Sequence, residues 1–338
     1  MKIGIHHTLG SFSEQWIAYC REKNVDYKIV NAYDSDIVEQ LADCDAFMWH
    51  HNHVNPKDVL FAKPLLFALL QAGKIVFPDF NSGWHFDDKL GEKYLFEATG
   101  LSIPKTYVFY TKAEALKWIA STTFPKVFKI RGGAGALNVR LVKTAAQAKR
   151  LTSRAFGRGF PGVDRVAGAK DSWRKRKWKD FLKNLLLAVR PSLRNEHLLA
   201  RHRGYVLFQD FIPGAEFDIR INVVGEHANG MVRFVRKGDF RASGSGNACC
   251  EQEALRPEWI RTAFDCAEKM GISAGAFDFV VEEKTGKVKL VEVSYGYGFA
   301  SNDGYWTRDL VLHKEKCNVA QWMVELVIER IKKSKMRE

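Results

Sequence analysis

The chain has 338 residues, enough for two or three compact modules with a buried core. Its 46% hydrophobic and 27% charged content fits a globular protein and excludes a disordered or fibrous one; no apolar run reaches the roughly 18 residues that span a bilayer. The net charge is +13, but residues 154–203 hold 14 Lys and Arg against 4 Asp and Glu, leaving 38 against 35 elsewhere, so the basic excess belongs to one region.

Residues 2–6 read as a strand rather than a secretory leader. A helix over 12–23, a strand over 26–31, a short helix over 36–41, a strand over 46–49, a helix over 56–71 and a strand over 74–77 follow. Strands alternating with helices predict a parallel sheet, whose ligands lie beyond the carboxyl ends of its strands. Those ends carry His6-His7 and His50-His51-Asn52-His53. Alternate residues of a strand share a face, so His51 and His53 can converge, with His6 or His7 from the neighbouring strand. No nearby cysteine or carboxylate completes a tetrahedral zinc set. Substrate contact by His7, His51 and His53 and plain packing both remain open readings.

The pattern then predicts a helix over 86–99, a strand over 103–110, a helix over 112–120 capped by Thr111, and a strand over 124–130. Arg131-Gly132-Gly133-Ala134-Gly135-Ala136 is a flexible turn into a strand over 139–142, followed by a helix over 144–151. Lys129 therefore stands just before a Gly-rich hairpin, where backbone N–H groups can approach phosphate; an ordinary tight turn is the other reading. The P-loop pattern is absent, since no Gly-Lys-Ser/Thr leads into a helix.

The basic region opens on Ser172-Trp173-Arg174-Lys175-Arg176-Lys177-Trp178 and continues as a helix with apolar positions 178, 181, 182, 185, 186 and 189. These make one stripe, with cations opposite. Such a helix at 172–190 suits an anionic membrane surface or an acidic polymer, or it packs its stripe on the core and leaves its lysines solvated. Nucleic acid fits less well, because the aromatics fall on the apolar side.

Strands are expected over 205–211, 217–224, 230–235, 275–281 and 287–293, and helices over 257–270 and 319–332. Asp278 and Glu292 fall on the last two strands, joined by a turn at 283–287. A hairpin would set both carboxylates toward one site, and hard oxygen ligands on rigid strands suit Mg2+. Tyr295-Gly296-Tyr297-Gly298-Phe299 follows, with Tyr295 able either to stack on a sugar or to fill the core. The six cysteines show no Cys-x-x-Cys spacing and are expected as reduced thiols.

Taken in order, Asp88-Lys89, Lys129 before its Gly-rich hairpin, the run from Phe208 to Arg220, Gly238-Asp239-Phe240-Arg241 and the Asp278/Glu292 pair resemble the ATP-grasp superfamily. The likeness is nearest to carboxylate–amine ligases of the ribosomal-protein glutamate ligase and glutathione synthase type. It implies an ATP-grasp fold, α/β and α+β, with a parallel α/β pre-domain over 1–86, a subdomain over 87–205 carrying the Gly-rich loop and the basic helical insertion, and a metal-binding subdomain over 206–338.

The resemblance also implies ATP and Mg2+ as cofactors. Lys89, Lys129, Gly132, Gly133 and Gly135 would meet the phosphates. Gln209, Asp210, Phe211 and Ile212 would form the adenine hinge, and Glu216 would hold the ribose. Arg220 and Arg241 would hold the phosphates or an acyl phosphate, and Asp278, Glu292 and Ser294 would hold the metal. Ser294 stands where the family usually has Asn, and Gln209 where many relatives have Glu. The stretch after Arg241 also differs, which points to a different substrate contacted by Ser243 or Asn247. The implied activity is amide formation between a carboxylate and an amine, with a uronic acid of a surface-polysaccharide precursor as the preferred acid. A peptide or protein-tail ligase and a non-catalytic ATP-binding regulator are the rivals. The expected setting is cytoplasmic, peripheral to the inner face of the membrane.

Overall fold

The structure is a computed structural model and describes the chain except residues 134–138, 163–164, 175–176, 191–198, 237, 284, 299–301 and 338. The N-terminal elements are β1 (Lys2–His6), α1 (Phe12–Glu22), β2 (Asp26–Val30), α2 (Ile37–Gln40), β3 (Ala46–Trp49), α3 (Pro56–Gln71), β4 (Ile75–Phe77) and α4 (Phe80–Gly83). The four strands are parallel in the order β2-β1-β3-β4, as the alternation predicts. All of β3 is buried, because helices cover both faces of such a sheet.

The middle of the chain forms α5 (Lys89–Ala98), β5 (Thr106–Phe109), α6 (Lys112–Ser121), β6 (Lys126–Lys129), β7 (Arg140–Val142), α7 (Ala145–Ala155), α8 (Arg165–Arg174), α9 (Trp178–Val189) and β8 (Val206–Asp210). An antiparallel sheet runs β5-β8-β6-β7. Ile119 of α6 and Leu151 of α7 pack on one face of it, against Phe128, Val142 and Phe208. Thr111 caps α6 as expected, accepting from the Glu114 N–H.

The last part forms β9 (Phe217–Val224), β10 (His227–Phe234), β11 (Ala248–Cys249), α10 (Pro257–Met270), β12 (Ala274–Val281), β13 (Val288–Ser294), β14 (Asn302–Thr307), β15 (Leu312–Cys317) and α11 (Val319–Lys335). Its seven-stranded sheet runs β13-β12-β9-β10-β14-β15, with β11 on β10. One face packs on α10 through Trp259, Ile260, Phe264 and Ala267. Gly271 closes that helix in the left-handed conformation, which costs glycine no Cβ clash.

The structure differs from the sequence reading in several elements. The helix expected from residue 86 begins at Lys89, because Asp87 takes a left-handed φ of 55° and Asp88 caps. The basic region forms two helices packed on each other instead of one. β11, β14 and β15 were not foreseen; β15 carries exposed Lys314, Glu315 and Lys316 at the sheet edge, where charge deters pairing with other chains but also hides the strand pattern.

Candidate functional site

A cavity of about 350 Å3 lies between the four-stranded and seven-stranded sheets. Adjacent strands bring its charged groups together. Asp278 on β12 faces Glu292 on β13 and Arg220 on β9, so the hairpin inferred from the sequence places both carboxylates on one row. Arg220 donates to both Asp278 oxygens at 2.7 Å. Arg233 on β10 donates to both Asp218 oxygens, at 2.6 and 2.9 Å, and its Nη2 also lies 2.9 Å from Asp278. Burial alone would raise the Asp278 carboxyl, but the two guanidinium groups override it and hold it at about 2.

Lys89 and Lys129 reach the same cavity from α5 and β6. The Lys89 ammonium lies 3.7 Å from Glu292 and 3.9 Å from Asp87, and donates to the Gly133 carbonyl at 3.1 Å. Burial disfavours its charge, yet Glu292, Glu92 and Asp87 outweigh that and push its pKa up. Lys129 has no such close partner among the described residues, and burial pushes its pKa down. Glu92, one turn along α5 from Lys89, is driven well up by burial and by Glu292.

The start of α5 fixes Lys89. Asp88 accepts from the Leu90 and Gly91 N–H groups and from Arg131 Nη2, while the Lys89 N–H donates to the Arg131 carbonyl at 2.8 Å. The Gly133 N–H, at a φ of 116°, donates to both Asp87 oxygens, so this loop amide is paired within the protein.

Gln209, Asp210, Phe211 and Ile212 line the cavity where β8 ends. Gln209 Nε2 donates to Thr106 at 3.0 Å, and Asp210 pairs with Lys126 at 2.6 Å. Arg241 is clamped by Asp239, its Nη2 at 2.7 Å, and also faces the cavity together with Ser243 and Ser294. Ser294 donates its hydroxyl proton to the Gly296 carbonyl at 2.8 Å, which leaves the oxygen lone pairs for a ligand. Glu216 is exposed and outside the cavity lining, its carbonyl bonded to the Val235 N–H. Gly135 lies outside the described residues.

A second cavity, of about 710 Å3, adjoins the first along His53, Phe86, Asp87 and Gly133. Gly132, His51, Lys63, Arg131, His202 and Tyr205 also line it. His51 and His53 both pack edge-on against Phe86, at 5.3 and 5.4 Å. Nε2 of His51 is buried with no partner among the described residues.

The expected convergence with His6 or His7 does not occur. His6 packs on Trp49 and accepts from the Ala32 N–H, while the exposed His7 meets Ser13. Tyr295 is buried, donates to the His51 carbonyl at 2.7 Å and lines neither cavity; Asn247 is exposed and lines neither. Gly296 approaches Phe86 so closely that an added Cβ would stand 2.9 Å from its ring. Among the described residues no group of three or more His, Cys, Asp and Glu forms a metal cage. Sequence reasoning missed Glu92, Asp218 and Arg233. Lys89–Glu92 spacing on a helix and Asp218–Arg220 alternation on an apolar strand were the available signals.

Residues 183–304 match the RimK-like ATP-grasp domain, and the molecule has the ATP-grasp fold with a parallel four-stranded sheet in front. It is similar to a RimK domain ATP-grasp protein from Sphaerobacter thermophilus DSM 20745, at 15% identity and a TM-score of 0.55, covering 97% of this chain and all of that one. D-alanine–D-alanine ligase from Bacillus anthracis complexed with ATP is 13% identical with a TM-score of 0.57, covering 100% and 99%. The ATP-grasp ligase PsnB, complexed with a phosphomimetic variant of its minimal precursor, Mg and ADP, is 11% identical with a TM-score of 0.57, covering 98% of each chain. No curated protein matches in sequence.

Proposed function

We propose that the protein is an ATP-dependent carboxylate–amine ligase. The observation that carries this reading is the meeting of Lys89, Lys129, Arg220, Arg241, Asp278 and Glu292, from separate segments, around one cavity between two sheets. Apolar Val127, Val280, Val291 and Phe211 line the same cavity beside Gln209, a setting that suits a purine. Segments 87–205 and 206–338 would hold nucleotide between them, with segment 1–86 on the acceptor side.

In this reading a carboxylate takes the γ-phosphoryl group to give an acyl phosphate and ADP. An amine then displaces phosphate to leave an amide. Lys89 and Lys129 position the phosphates, and Arg241 and Arg220 hold the planar anionic groups, a role that suits guanidinium better than ammonium. The Gln209–Ile212 backbone meets the adenine edge, and Glu216, between the lining residues Ala215 and Phe217, takes the ribose hydroxyls. Asp278, Glu292 and the Ser294 oxygen fit Mg2+, which when bound neutralises phosphate charge. Positioning and charge account for most of phosphoryl transfer.

The second cavity would take the acceptor. Its aromatic rings, Phe86, Tyr110 and Tyr205, and its mix of Asp, Arg and His side chains favour a sugar, in keeping with a uronic acid of a surface polysaccharide joined to an amino acid. The peptide bound by PsnB favours a second reading, a peptide or protein-tail ligase. Free thiols at Cys20, Cys44, Cys249, Cys250 and Cys266 and a need for ATP fit a cytoplasmic setting.

The test is ADP release from Mg-ATP with paired carboxylates and amines, uronosyl and peptidyl, followed by mass spectrometry of the product. Turnover that needs both partners is expected, and Glu292→Gln should lower it at least about 100-fold without shifting the unfolding midpoint. Tight nucleotide binding with no turnover on any pair would leave a non-catalytic regulator.

A further inference from the structure

α8 and α9 form a hairpin that is closed on its inner face and open on its outer one. Inside, Leu187 is buried, and Asn184 bridges the helices, accepting from Arg165 Nη1 at 3.1 Å and donating to Ser172 Oγ at 3.4 Å. At the bend, the Trp173 ring lies 4.6 Å from Trp178 and 5.1 Å from Phe181. The two helices pack chiefly on each other. The stripe read from the sequence therefore does not cover the core. Trp178, Leu182, Leu185, Leu186 and Val189 are between 48% and 75% exposed, and Trp173 falls in the same range.

Cations follow one edge of that stripe. Lys179 and Lys183 each come one residue after Trp178 and Leu182, so each lies about 100° further round the axis; Arg190 follows as the C-cap, and all three are exposed. Asp180 is the only acid in α9. Large apolar side chains beside lysines, with two tryptophans at one end, match the layering of a bilayer surface, where acyl chains lie beneath anionic headgroups. A second copy of the hairpin would press like charges together, and a soluble polyanion would leave the leucines in water. Among the described residues no helix is long and apolar enough to cross a membrane.

We propose that the outer face of α9 docks in the plane of an anionic lipid surface. The proposal stands on the hairpin alone and is independent of the ligase reading.

The test is co-sedimentation of the full chain with phosphatidylcholine vesicles, with and without phosphatidylglycerol. Binding is expected only to the anionic vesicles, weakening as salt rises. Lys179→Gln and Lys183→Gln should each weaken it about fivefold. The triple variant Leu182→Ser, Leu185→Ser, Val189→Ser should abolish it with the unfolding midpoint and any nucleotide binding unchanged, since these side chains touch neither cavity. Undiminished binding by the triple variant, or none by the wild type, overturns the proposal. A concentration-dependent dimer lost in the triple variant would assign the face to a second copy and also overturn it.

Discussion

Asp278 and Glu292 stand opposite each other on β12 and β13, yet their settings differ. Asp278 accepts from the half-buried Arg220 and the buried Arg233, whereas the ion-pair partner of Glu292 among the described residues is the Lys89 ammonium at 3.7 Å. Removing one partner from a buried cluster leaves an uncompensated charge. Asp278→Asn should therefore cost about 3 kcal/mol of stability as well as activity, which denaturant titration beside an activity assay would separate from the Glu292 variant. The half-buried His50 and the buried His85 give a pH dependence. Burial lowers His50 and His85 to about 4 each, so between that value and the ordinary 6.5 the unfolded chain binds protons that the folded chain does not. Their contribution is intact above about pH 6.5 and is lost as pH falls toward 4, on the order of 3 kcal/mol per ring. His50→Asn, which keeps an acceptor for the Phe12 N–H, should flatten the fall in unfolding midpoint across that range. The Asp278/Glu292 row was legible from alternation. Asp218, Arg233 and Glu92 were missed, because their spacing along one strand or helix is a weak signal and their partners come from other strands or another sheet.

At the scale of elements, α5 shows how a local signal positions a distant one. Asp88 caps the helix and holds Arg131 beside the Gly-rich loop. Asp88→Ala should lose about 1 kcal/mol through the cap and raise the KM for ATP by freeing Lys89, while Asp88→Asn, still a good cap, should lose much less stability. Thermal unfolding and steady-state kinetics would check both. Most helices and most strands before residue 295 were legible, since their apolar periods are strong; the two-residue β11 was not. β15 escaped because an edge strand with alternating charge resembles a loop, and β14 because it opens on Asn302-Asp303-Gly304, which reads as a turn. The basic insertion was legible as amphipathic, but not that its stripe would face solvent, since periodicity records a face and not its partner.

Across the whole molecule, the N-terminal sheet is locked to the seven-stranded one. α1 packs on α11, and Phe12, Trp16, Met323 and Val327 share a core with Val224 and Ala276. Arg330 pairs with Asp79 at 2.7 Å, and Tyr295 ties to the His51 carbonyl. Met323→Ala, at a fully buried position, should cost about 2–5 kcal/mol in chemical denaturation. The sequence by itself determined the alternation of elements, the cross-strand carboxylates, Lys129 before its Gly-rich hairpin and the regional charge, because each is written in spacing along one segment; Lys89 was singled out by the family resemblance. Only the tertiary structure decided that Tyr295 is core, that His6 and His7 stay apart from His51 and His53, that Asp278 is shared by two arginines, and that a second cavity adjoins the first. Those outcomes depend on which surfaces meet across the sheets, and contacts between segments far apart leave no periodic trace in either one.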